Sequence, residues 1–174
     1  MKKHTFVLVL VLIMAFGYAS VAYAITNGQP DGDIHPYVGI LVFDVGGVPA
    51  WRCSGALIAP DVVLTAGHCT DGADEARVWL DEEVSAVWDD PLGEYPFGGT
   101  TSVEGTPYTN PKYRSDENPY GGGNGLPAFS YRDVGVVILD EEVSGIGFAD
   151  LPEAELVDTL KNKTDVDFVG HGVQ

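Results

Sequence analysis

Apolar residues in this chain come in short runs, and glycine, proline, aspartate and asparagine break those runs at intervals that leave no room for a long helix. The runs are rich in valine, isoleucine, leucine, tryptophan and tyrosine, the side chains that fit a pleated, half-buried surface. Strands are expected at Tyr37 to Phe43, Ser54 to Ile58, Val62 to Thr65, Ala76 to Leu80, Val84 to Trp88 and Val134 to Leu139. Their spacing suits an antiparallel barrel or sandwich, so the expected fold class is all-β. Asp150 to Leu160 is expected as a short helix. Asp89 to Ser130, dense in Gly, Pro, Asn and Tyr, reads as a long surface loop. Its run Gly121-Gly122-Gly123-Asn124-Gly125 follows no expected strand and opens no helix, so it reads as flexible chain and not as a phosphate cradle. Asn162-Lys163-Thr164, formally a glycosylation sequon, reads as a polar turn.

The N-terminus differs in kind. Lys2 and Lys3 precede an unbroken apolar run from Phe6 to Phe16, and the small-residue sequence Ala22-Tyr23-Ala24 follows. Residues 1–24 therefore read as a secretory signal peptide, with an apolar core shorter than the roughly 18 residues a membrane span needs. Cleavage after Ala24 would leave Ile25 as the mature N-terminus and a soluble protein outside the cell or in the periplasm. The leader holds two of nine basic residues and none of the 26 acidic ones, so the formal charge moves from −17 to −19 (7 − 26) on its removal. Such a surface repels nucleic acid and anionic lipid and reads as a solvated coat. Asp81-Glu82-Glu83 lacks the spaced ligands and turn glycine of a calcium loop. No metal and no cofactor are expected.

Both cysteines, Cys53 and Cys69, lie in the exported part, where an oxidising medium favours a disulfide. Closing a loop of that length contributes about 3 kcal/mol in the chain-entropy model. A zinc site including His68 is the rival, weakened by the lack of paired-ligand spacing.

Two segments carry the chemistry. Leu64-Thr65-Ala66-Gly67-His68-Cys69 follows an apolar run, and Tyr131-Arg132-Asp133-Val134-Gly135-Val136-Val137-Ile138-Leu139 places an aspartate at the head of another. The first resembles the active-site histidine motif of the chymotrypsin/trypsin family of serine proteases, with Cys53-Ser54-Gly55-Ala56-Leu57-Ile58 resembling the strand of the partner cysteine, sixteen positions away as in that family. The second resembles the family's aspartate motif. The 65 residues between His68 and Asp133 exceed the family's usual interval, and the excess falls in the glycine-rich loop, where insertions are tolerated. Weaker matches extend the likeness: Ile25-Thr26-Asn27-Gly28 resembles the mature start, Pro111-Lys112-Tyr113 the edge after the fifth strand, and Leu151-Pro152 the entry to an interdomain linker. Asp165 to Gly172 resembles the first strand of a second barrel, with His171 a structural residue.

The resemblance implies a trypsin-like antiparallel barrel over 25–150, a linker and first strand of a second barrel over 151–174, and a secreted member of the bacterial type. It further implies a disulfide between Cys53 and Cys69 and a buried Asp133 that orients His68, the general base towards a polypeptide substrate. None of Ser54, Ser85, Ser102, Ser115, Ser130 and Ser144 sits in the Gly-Asp-Ser-Gly-Gly segment that supplies the family's nucleophile. The expectation is thus an N-terminal fragment of a serine endopeptidase, inactive alone and monomeric when complete, with Ile25 released by export in place of a propeptide step. The alternatives are a non-catalytic secreted protease-like binding module and an unrelated acidic β-sandwich adhesin.

Overall fold

The computed structural model describes residues 28–81, 101–113 and 132–171. Six strands, β1 (Val38–Val45), β2 (Val48–Ala59), β3 (Val62–Thr65), β4 (Glu75–Trp79), β5 (Val103–Thr109) and β6 (Gly135–Leu139), close into an antiparallel barrel in the order β1-β2-β3-β6-β5-β4. All of it lies in one compact unit, residues 30–171. The β1–β2 hairpin turns through Gly46 and Gly47, whose φ values of 62° and 78° belong to the two-residue turn that matches strand twist. Only glycine adopts that pair of angles without steric cost.

Alternation along the strands fills the interior. Leu41 and Phe43 of β1, Leu57 of β2, Val63 of β3, Ala76 and Val78 of β4, and Val137 and Leu139 of β6 form one buried cluster. The other face of the β1–β4 seam is buried too: Ile40, Val42 and Trp79 make a second cluster there, which is why β1 reads as a continuous apolar run and not as an alternating one. Asp44 continues this face and is buried, a position tenable for a carboxylate only with a partner. Arg77 supplies it at 2.7 Å, with its guanidinium 5.7 Å from the centroid of the Trp79 ring.

The structure corrects several boundaries. β2 begins at Val48, six residues before the expected strand, because Val48 to Cys53 pair with Leu41 to Val45. β5 lies inside the segment expected to be loop. Its sequence, Val-Glu-Gly-Thr-Pro-Tyr-Thr, offers no apolar run, and pairing to β4 and β6 overrides the weak local signal. The Pro111-Lys112-Tyr113 segment does follow directly on this fifth strand, as the resemblance implied. Of the helix expected over Asp150 to Leu160 only one turn, α2 (Leu156–Thr159), forms; its residues are exposed and its cap, Glu155, is left-handed (φ 67°) and makes no side-chain capping bond. Of Asp165 to Gly172, expected as the first strand of a second barrel, the described residues 165–171 form no strand, and Phe168 is 87% exposed. Val84 to Trp88, the glycine run at 121–125 and Ile25 fall outside the described residues.

The interior cluster sets a stability prediction. Phe43→Ala should cost about 3–5 kcal/mol, whereas Tyr108→Ala, on the exposed outer face of β5, should stay within about 0.5 kcal/mol. Urea unfolding of both variants checks the contrast; equal losses would contradict the placement of the core.

Candidate active site

β3 ends at Thr65, and after Ala66 the chain makes one helical turn, α1 (Gly67–Thr70). Four residues cannot sustain a helix alone, since nucleation is unfavourable and the end groups lack partners. The turn is instead fastened from outside. Cys69 is disulfide-bonded to Cys53 of β2. The Thr70 hydroxyl lies 3.0 Å from the Gly67 carbonyl, to which it donates, and 2.8 Å from the Thr109 hydroxyl of β5. The indole N–H of Trp51 donates to the Cys69 carbonyl at 2.7 Å.

Two glycines let the strand that follows Asp133 come close to this turn. A Cβ on Gly67 would lie 3.0 Å from the Val134 nitrogen and 3.1 Å from its oxygen, and one on Gly135 would collide with the Thr70 hydroxyl and lie 2.7 Å from its methyl group. The β3–β6 ladder, which sets Thr65 against Gly135, then delivers the residue just before β6 to the turn. Arg132 takes a left-handed conformation (φ 57°), and the Val134 carbonyl accepts from the Asn110 N–H at 3.0 Å, fixing the approach of Asp133.

Asp133 meets His68 through both oxygens. Oδ1 accepts the His68 main-chain N–H at 2.6 Å, and Oδ2 lies 2.8 Å from the ring Nδ1. A carboxylate only accepts, so Nδ1 carries a proton, and in the neutral ring that tautomer leaves the lone pair on Nε2. Burial raises the Asp133 pKa, but hydrogen bonds from the ring and the main chain of His68 outweigh it, and the net value lies below 3.8. The carboxylate is half-buried and not buried as expected: its side chain is 28% exposed, and that of His68 58%. The turn covers one flank of Asp133, and its neighbours Arg132 and Val134 are both exposed.

Cys53, His68 and Cys69 are the one His/Cys/Asp/Glu group among the described residues with potential ligand atoms close enough to share a metal, within 4.8 Å of one another. The two sulfurs are bonded to each other and offer no thiolate, so the group does not fit zinc. His171 stands apart: its main-chain N–H donates to the Ser54 hydroxyl at 2.9 Å, and burial lowers its ring pKa against a raising hydrogen bond with the Val38 backbone. Trp51, Gly67, Thr70, Thr109 and Gly135 were not singled out from the sequence. Only their proximity to His68 in the fold marks them, although the Gly-His-Cys and Asp-Val-Gly strings contain the two glycines.

A closed antiparallel barrel that presents a histidine, fixed in one tautomer by an aspartate and with Nε2 unengaged by that aspartate, defines a domain of serine-protease type. The family model described as Trypsin matches residues 27–159, and the chain belongs to the trypsin family. It is 41% identical over 78 residues to the CLIP domain-containing serine protease HP8 of Bombyx mori, an alignment covering 44% of this chain and 20% of that protein. Over 51 residues it is 47% identical to Serine protease 1 of Drosophila melanogaster, covering 28% of this chain and 18% of that protein. Matches to these relatives thus span about a fifth of their lengths, and both come from insects, which lends nothing to the expectation of a bacterial-type member. The solved structure of HL collagenase shares the fold, with a TM-score of 0.54 at 22% identity over 77% of this chain and 50% of that one. No helix among the described residues is long and apolar enough to cross a membrane.

The Asp133 shift carries a pH signature. Its folded pKa lies below the unfolded one, so the pair stabilises the fold fully above about pH 4 and the contribution is lost as pH falls through the lower folded value. Asp133→Asn should abolish this slope. The same change should also turn an amide N–H towards Nδ1 and move the ring proton to Nε2, which nitrogen-15 spectra of His68 report; an unchanged tautomer would contradict the geometry.

Proposed function

We propose that this chain is the histidine- and aspartate-bearing barrel of an exported serine endopeptidase. The observation that carries the reading is the two-pronged hold of Asp133 on His68, which commits the ring to the tautomer a general base requires. In the reaction Nε2 takes the proton of a serine hydroxyl as its oxygen attacks the peptide carbonyl. The imidazolium so formed is stabilised by Asp133, then returns the proton to the leaving amine, leaving an acyl-enzyme that water hydrolyses by the same route in reverse. Proteases of this family act on polypeptides, and a polypeptide is the proposed substrate. The leader at residues 1–24 supports export, and Ile25 is the proposed mature N-terminus.

The nucleophile is not among these residues. The described serines include Ser54, whose hydroxyl accepts from the His171 main chain, and no serine of the sequence lies in a Gly-Asp-Ser-Gly-Gly segment. The backbone donors that stabilise the tetrahedral oxyanion, often the largest catalytic contribution, belong with that segment. The 174 residues alone should therefore hydrolyse no peptide bond and take up no serine-directed fluorophosphonate.

Reading the nucleotides that follow the codon for Gln174 tests the proposal first, since a Gly-Asp-Ser-Gly-Gly segment is expected there in some frame. In a protein carrying both parts, His68→Ala should lower kcat by several powers of ten and Asp133→Asn by about 10⁴, the magnitude established for triads of this type. Hydrolysis that survives His68→Ala would overturn the mechanism. A folded, secreted 174-residue chain that binds a partner protein, with no such coding segment behind it, would favour a non-catalytic module.

A further inference from the structure

Trp51 lies on the inward side of β2, two residues before Cys53 and opposite Phe43 in the register. Its ring stacks on that of Phe43, with centroids 6.5 Å apart and planes 24° apart. Phe43 is itself fully buried in the barrel core. From this seat the indole N–H reaches out of the core to the Cys69 carbonyl.

Three other carbonyls at the His68 turn have local partners. That of Ala66 accepts from the Cys69 N–H, that of Gly67 from the Asp71 N–H and the Thr70 hydroxyl, and that of Thr70 from the Ala73 N–H. The Cys69 carbonyl is one of those a helical end leaves without an intrahelical acceptor role, and the indole fills it. The remaining fastenings are a disulfide from β2, a pair of hydroxyls shared with β5 and the Asp133 carboxylate ahead of β6. Trp51 acts through a planar ring stacked on the buried Phe43, so its hydrogen bond ties the main chain beside His68 directly to the barrel core.

We propose that Trp51 is a positioning residue for His68. It holds the Cys69 peptide so that the turn cannot rock and lengthen the contact between Nδ1 and Asp133. The proposal rests on the reading of His68 as general base. It adds a requirement which that reading does not contain: an indole donor on β2, more than a dozen residues upstream of the histidine.

The test uses the full 174-residue chain with Trp51 replaced by 3-benzothienylalanine, which keeps the ring shape and lacks the N–H, and in parallel Trp51→Phe. Two signals are read, the proton resonance of the His68 Nδ1–H and hydrogen exchange at the Cys69 and Asp71 amides, whose bonds close the turn. With the benzothienyl side chain the resonance should broaden or vanish and exchange at those amides should rise roughly tenfold, the effect of one lost hydrogen bond, while exchange at β1 and β6 amides stays put. Unchanged resonance and exchange would overturn the proposal, as would a rise spread evenly over the barrel, which would show a purely structural role. A native chain without the Nδ1–H resonance would count against the His68–Asp133 pair; the local exchange comparison would then decide for or against Trp51 independently.

Discussion

A single helical turn has almost no stability of its own, yet the candidate site depends on one holding its shape to within a fraction of an ångström. Everything around His68 answers that constraint. The disulfide and the indole come from β2, the hydroxyl contact from β5 and the carboxylate from the head of β6, so three strands of the barrel hold the turn. The turn is thus a small irregular piece whose conformation is dictated by the regular sheet around it. Asp133 has a double part, since one oxygen serves the main chain of the turn and the other serves the chemistry.

Close approach matters as much as attraction here. The turn and the head of β6 come within contact distance only because neither Gly67 nor Gly135 carries a side chain at the meeting point. Any larger residue would have to displace main-chain atoms of Val134 or the side chain of Thr70, and with them the fastenings described above. Elsewhere the buried Asp44 is matched by Arg77, and the charge pair shares its face with Ile40, Val42 and Trp79. An ion pair in that setting is tenable because both partners are present, and removing either would leave a buried charge exposed to a low dielectric.

Much of this could be read from the chain. The strands with β-branched or continuous apolar sequence, such as Gly39 to Phe43, Val62 to Thr65 and Gly135 to Leu139, declare themselves locally, and the histidine and aspartate strings sit at their ends. What stayed hidden is what the fold alone creates. β5 has Gly105 and Pro107 and turns polar side chains outward, so its strand character comes from its neighbours on both sides. The first half of β2 hides behind Pro49 and Arg52 in the same way. The parts played by Trp51 and Thr109 follow from register, which places residues distant in sequence beside the turn, and no local pattern encodes that. The segment around Leu156 gave the opposite error: helix-compatible residues without an apolar face against the barrel yield one exposed turn and no more.

The position of the His68–Asp133 contact in the strand order has a bearing on how the molecule comes together. Barrel closure requires β3 to find β6 and β4 to find β5, and the first of these ladders joins segments some seventy residues apart. The contact lies just beyond the end of that ladder, at Thr65 and Gly135, so it forms only once β3 and β6 have paired. Bringing distant segments together costs chain entropy before any contact offsets it, which makes such pairings slow steps in folding. The hold on the imidazole is therefore a late acquisition of the folding chain, and a molecule that shows it has already joined β3 to β6 across that interval.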